Sequence, residues 1–243
     1  MALPNLKTPE FTLELPSSGE KIKYRPFLVK EEKVLLMATE GDDPKAMVSA
    51  LIQIVENCTF GKVQPRENPL FDLEYIFLNL RAKSVGEIAE PTLIPSDCDK
   101  PVQLSVDLNQ VEVVKAEGHT NKIPLTDTVG VVMKYPSIDQ AENQDPNMNL
   151  QDPEVGLQII SDCIDSIYDG DQIFNSRDHS REEMQEFVEG LTQDQFMRLI
   201  NFFESMPKIR YQTKYTCPCT GEEKEIVLAG LQDFFGSPSA TTT

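Results

Sequence analysis

Three of the five cysteines stand where thiolate chemistry is feasible. Cys217-Pro-Cys219 opens a turn cluster, Cys217 to Gly221, between two alternating apolar stretches, and Cys98 occupies a similar tip between Pro95 and Lys100. Zinc ribbons use such paired tips to surround tetrahedral Zn2+ with soft sulfur donors. Cys98, Cys217 and Cys219 are therefore a candidate zinc set, with the distant His119 as a fourth donor. The spacing is C-x-C on one tip and a lone Cys on the other, not the paired C-x-x-C that curls two thiolates onto one ion. A cofactor-free ribbon with free thiols is the competing reading. An odd number of cysteines at irregular spacing fits a reducing compartment better than a disulfide framework.

The other candidate chemistries fail on composition or spacing. Asp165-Ser-Ile-Tyr-Asp169-Gly-Asp171 places Gly170 at the sixth position of a calcium loop, but Ile167 stands at the third and Ser176 at the twelfth, where carboxylates are needed. Two histidines, His119 and His179, leave little from which to build His-dependent catalysis. The chain has no G-x-S-x-G, P-loop, G-x-G-x-x-G or H-E-x-x-H pattern. Adjacent carboxylates such as Glu31-Glu32 and Asp42-Asp43 suit helix starts better than acid–base work. The expectation is a protein that is not an enzyme and takes no small-molecule substrate.

Charge narrows the partners. The chain of 243 residues carries 40 Asp and Glu against 22 Lys and Arg, a net charge of −18. That balance disfavours nucleic-acid backbone and anionic membrane surfaces as partners. The first 30 residues hold no continuous apolar run and read as neither signal nor transit peptide, so a soluble cytoplasmic protein is expected. The excess is local: residues 135–206 hold 16 acids and 3 bases, whereas residues 207–243 hold 4 of each.

The elements that position these residues read as α+β. Phe11 to Leu15 and Lys21 to Tyr24 alternate around Pro16-Ser-Ser-Gly19, which predicts a hairpin. Helices are predicted over Val29–Thr39, Pro44–Cys58 with Asp42 and Asp43 at its N-cap, and Asn68–Ser84, the last ended by Gly86. Period-two stretches follow at Pro91–Ile94, Val102–Val106, Val111–Lys115 and Val129–Lys134. The acidic section is predicted helical, with Leu157, Ile160, Ile164 and Ile167 forming one apolar face. Ser180 with Glu183, and Thr192 with Gln195, are capping boxes ahead of two further helices. A last Cys-tipped hairpin, Ile209–Thr216 with Glu225–Leu228, precedes a short segment Leu231–Phe235 and a frayed tail from Ser237. This divides the chain into an N-terminal α+β domain (1–135), an acidic helical section (136–206), a C-terminal hairpin with a short helix (207–236) and a tail (237–243).

Several segments together resemble a known family. Lys23-Tyr-Arg-Pro-Phe-Leu-Val-Lys-Glu-Glu-Lys33, Asn57-Cys-Thr-Phe-Gly61, the stretch from Phe71 to Glu87 and Leu228-Ala-Gly-Leu-Gln-Asp-Phe-Phe235 are similar to the T4-like phage baseplate hub proteins. The resemblance covers nearly the whole chain and is strongest over residues 1–135. It implies myovirus tail assembly, as a minor hub subunit or as a chaperone-like factor that helps the hub assemble without staying in it. The partners implied are other baseplate hub proteins, met in the host cytoplasm during assembly or in the virion tail baseplate. The docking residues expected are Tyr24, Arg25, Phe27 and Lys30 of the first segment, Tyr75 and Arg81 of the third helix, and the carboxylates Asp162, Asp165, Asp169 and Asp171. A permanent structural subunit and a small zinc-ribbon regulator are the alternatives.

Overall fold

A computed structural model of the chain describes residues 7–40, 44–95, 98, 100–143 and 153–235. It forms two compact units: Met1–Val114 together with Pro207–Thr243, and Lys115–Met206, which is inserted between them in sequence. The compositional boundary expected at 135–136 thus falls inside the second unit, and the C-terminal hairpin belongs to the first. Charge changes at one inner loop; the core changes where the chain leaves and re-enters the first unit. The second unit holds 18 acids against 6 bases. The expected N-cap residues Asp42 and Asp43 and the tail 237–243 lie outside the described residues.

The first unit opens with β1 (Phe11–Glu14) and β2 (Lys21–Tyr24), antiparallel from Phe11↔Tyr24 to Glu14↔Lys21. Helices α1 (Val29–Glu40), α2 (Pro44–Cys58) and α3 (Leu70–Ser84) follow. Helix α3 is buried on most of its circumference, including Leu73, Ile76, Phe77, Leu78 and Leu80, which marks it as a central helix rather than a surface one. Strands β3 (Ile88–Ala89), β4 (Thr92–Leu93), β5 (Val102–Gln103) and β6 (Val106–Asp107) form one interrupted hairpin, β3 pairing β6 and β4 pairing β5. Strand β7 (Glu112–Val114) ends this part of the unit.

The second unit contains β8 (Lys122–Pro124), β9 (Val129–Met133), α4 (Ile138–Asn143), α5 (Pro153–Asp162), β10 (Ile164–Asp169), β11 (Gln172–Asn175), α6 (Arg181–Glu189) and α7 (Gln193–Ser205). Its antiparallel sheet has the order β11-β10-β9-β8. Both capping boxes expected from the sequence are present, at Ser180/Glu183 and Thr192/Gln195. Ile123, Val131, Met133 and Ile164 of the sheet pack against Ile160 of α5, Met184 and Val188 of α6, and Leu199 and Phe202 of α7.

The chain then returns with β12 (Lys208–Thr216), β13 (Glu223–Ala229) and α8 (Leu231–Phe235). Strand β12 pairs with both β13 and β7, closing a three-stranded sheet inside the first unit. Ile209, Ile226, Leu228 and Phe234 share a core with Leu78 and Ala82 of α3 and with Leu93, Leu104 and Val106. The α+β expectation therefore holds, with one correction: residues 164–175 are strands, not helix. Helix α5 stops at Asp162, and Ile164 and Ile167 match a helical repeat only because Asp165 forms a β-bulge that resets the alternation.

Candidate interaction surface

The N-terminal docking residues turn out to be largely packing residues. Tyr24 and Arg25 are buried. Arg25 donates from Nη2 to Glu31 Oε1 at 2.9 Å and from Nη1 to the Pro26 carbonyl at 2.9 Å. Glu31 is only 2% exposed and also accepts from the Leu28 N–H at 2.8 Å. Burial works against the Glu31 charge, but the hydrogen bonds from Arg25 and Leu28 outweigh it and hold the carboxyl below its ordinary range. Phe27 packs its ring on Phe77 with centroids 5.8 Å apart, and its N–H donates to Ser84 Oγ at 2.8 Å. Tyr75 is half-buried against the first unit's core, and half-buried Arg81 donates to the Gly86 carbonyl at 3.2 Å. Lys30 is well exposed, its ammonium 3.4 Å from Glu31 Oε1. Aromatic, guanidinium and proline side chains crowd this segment because it is the joint between hairpin and helix.

The cysteine set is corrected in the same way. Cys98 and Cys219 are joined by a disulfide across 121 residues of sequence, with Cα atoms 6.0 Å apart. Cys217 remains a free, buried thiol, held below the ordinary thiol range by hydrogen bonds from the Thr220 and Cys219 N–H groups and the Thr220 hydroxyl. In the disulfide form Cys98 and Cys219 have no thiolate to give a metal, so the three-thiolate zinc set does not fit. Among the described residues no group of three or more His, Cys, Asp or Glu is arranged to hold one. The two tips meet as the sequence suggests; a covalent bond joins them, contrary to the expectation of free thiols.

His119 lies in an aromatic cluster with Tyr135 and Phe202, at centroid distances of 5.7 and 5.2 Å. Its Nδ1 is 2.9 Å from Ser205 Oγ and its Nε2 is 3.0 Å from Tyr135 Oη. The Ser205 hydroxyl donates to the Asn201 carbonyl at 2.5 Å, so its oxygen is left to accept from Nδ1–H. In that tautomer Nε2 is the acceptor that faces the Tyr135 hydroxyl. Burial and nearby Lys115 hold the ring below the ordinary histidine range. Ser205 is thus oriented by a carbonyl and not activated by a base, the reverse of a nucleophile–base pair.

Three of the four remaining candidates stand on the β10–β11 hairpin. Asp162, at the end of α5, is ion-paired with Arg181. Asp165, Asp169 and Asp171 are exposed. Gly170, at φ +57, takes the first position of the two-residue turn, and no residue with a Cβ enters that region readily. Every residue of β11 is exposed, including Ile173 at 68% and Phe174 at 41%. Sequence reasoning missed both, although Ile-Tyr-Asp-Gly-Asp-Gln-Ile-Phe, strand formers around a glycine turn, carries a hairpin signal. The helices cover one face of the sheet. On the other, Lys122, Val132, Ser166, Tyr168, Asp171 and Ile173 line a groove of about 310 Å3, with the Lys122 ammonium 4.7 Å from the Tyr168 ring centroid.

Two comparisons, with curated proteins and with solved structures, find no match to this chain. The family of T4 bacteriophage base plate proteins matches residues 8–236, across both units and nearly all of the chain. The chain belongs to that family.

Proposed function

We propose that this chain is a non-enzymatic assembly protein of the baseplate hub, which docks onto other baseplate proteins in the host cytoplasm through its acidic second unit. The observation that carries this reading is the β10–β11 hairpin. Asp165, Asp169 and Asp171 are exposed there with no ion-pair partner among the described residues, beside two exposed large apolar side chains. Carboxylates left unpaired next to uncovered apolar surface suit a basic partner face, which the field of the unit would steer into register.

Transient assembly factor and permanent subunit differ in where the protein ends up. Quantitative mass spectrometry of purified particles and of infected-cell lysate separates them. The assembly role expects the protein with hub precursors in the lysate and absent from finished particles. A fixed copy number in particles would overturn it in favour of a structural subunit.

A further inference from the structure

We infer that β11 is a strand-addition site, which pairs with an extended segment of another baseplate protein in which apolar residues alternate with Lys or Arg. The inference rests on the docking role proposed above and specifies its mechanism.

Sheet edges expose unpaired N–H and C=O groups, and soluble proteins blunt them with Pro, Lys, inward charges or a covering element. In the second unit, β8 ends in Pro124, whose carbonyl accepts from Arg198 at 3.0 Å. Strand β11 is the opposite edge and reads Gln172-Ile-Phe-Asn175, with no Pro, no charge and all four residues exposed. Asp169 and Gln172 close the two-residue turn and form the pair that exchanges both hydrogen bonds. Alternation then points the main-chain groups of Ile173 and Asn175 away from β10, toward the open edge.

Side chains define the partner. Ile173 is opposite Tyr168 and so continues the uncovered face that carries Val132 and Tyr168. Phe174 is opposite Ile167 on the other face, at the margin of the helix layer. An added strand would set apolar residues beside Ile173 on one face. Its other residues would stand on the face of Gln172 and Phe174, the face that Asp169 of the neighbouring strand shares, in a unit with three acids for every base. Lys or Arg at those positions is therefore the complementary choice.

The test uses the full chain and three synthetic peptides of about eight residues, a usual strand length. One alternates Lys with Val, one Glu with Val, and one Lys with Pro, which keeps the charge but cannot pair as a strand. Fluorescence anisotropy should show the Lys–Val peptide binding at least about tenfold more tightly than either of the others. Amide hydrogen exchange should slow at Ile173 and Asn175 on binding. Ile173→Pro, which removes an outward N–H together with the isoleucine side chain, should abolish that binding, while Ile173→Thr, which loses much of the side chain but keeps the N–H, should retain most of it. Circular dichroism of both variants checks that the fold is kept.

Equal binding of the Lys–Pro peptide would overturn strand addition while leaving a charge-driven docking role intact. Failure of all three peptides, with Asp165, Asp169 and Asp171 replaceable by Asn without loss of baseplate contacts, would remove both. Concentration-dependent dimerisation abolished by Ile173→Pro would assign the edge to a second copy and overturn the basic-segment partner.

Discussion

Arg25 and Glu31 form a buried pair whose value lies in keeping both members. Removing one leaves the other charged and desolvated, so Glu31→Ala should cost about 3 kcal/mol, read from urea denaturation. A loss within error would mean that water reaches the pair. Two half-buried groups make opposite pH predictions. Burial pushes the Glu74 carboxyl up to about 7, with only the Leu231 N–H opposing the shift. An acid that holds its proton more tightly when folded contributes stability at low pH and loses it as pH rises from about 4.5 through about 7. Glu74→Gln should therefore remove a decline in the first unit's stability across that window. His119 is a base held low, so its contribution is complete above about 6.5 and is lost as pH falls below that value. His119→Gln should flatten the acid-side loss in the second unit, followed by hydrogen exchange in its helices. None of these roles was legible in residue type. Tyr24 and Arg25 have the chemistry of docking anchors, and only burial distinguishes an anchor from a packing joint.

Elements closed by local chemistry were readable. Turn clusters marked three of the hairpins, and two capping boxes marked α6 and α7 before any packing was considered. The acidic section was misread because apolar spacing is ambiguous over short runs: Leu157 and Ile160 belong to a helix, Ile164 and Ile167 to the strand after it. Asp165, Asp169 and Asp171 are exposed as expected of a solvated acidic face but stand on a hairpin instead of a helix, Asp162 is half-buried at the end of α5, and the apolar pair Ile173 and Phe174 after them went unnoticed. The β9–β10 pairing has its own test at Gly130. A Cβ there would stand 2.6 Å from the Ile123 carbonyl and closer still to the Tyr168 hydroxyl. Gly130→Ala should cost about 2–3 kcal/mol by overpacking. Tyr168→Ala should not fully rescue it, because the carbonyl contact is backbone; full rescue would place the constraint in the tyrosine alone.

On the scale of the whole molecule, connectivity and charge divide the chain at different places: the second unit begins at Lys115, and its acidic excess begins at residue 135, inside it. The second unit interrupts the first in sequence, and the Cys98–Cys219 bond closes the loop that contains it. An unstructured loop of that length would lend about 4–5 kcal/mol through the unfolded chain. Because residues 115–206 form a unit of their own, the effective loop is shorter, and reduction should lower the first unit's stability by about 2–4 kcal/mol. Denaturation with and without reductant checks this, and an unchanged midpoint would show the bond to be idle. The sequence announced two cysteine tips but not their bonding, since C-x-C opposite a single Cys serves a metal, a disulfide or neither. The negative excess likewise proved to belong to an inserted unit with an open sheet edge, and that edge carries the central claim. Its most direct test is co-precipitation of baseplate proteins, identified by mass spectrometry, with the native chain and with Asp165→Asn/Asp169→Asn/Asp171→Asn at low and high salt. The expected result is salt-sensitive capture by the native chain and little capture by the variant. Equal capture of the same baseplate proteins by both would contradict docking through the acidic hairpin.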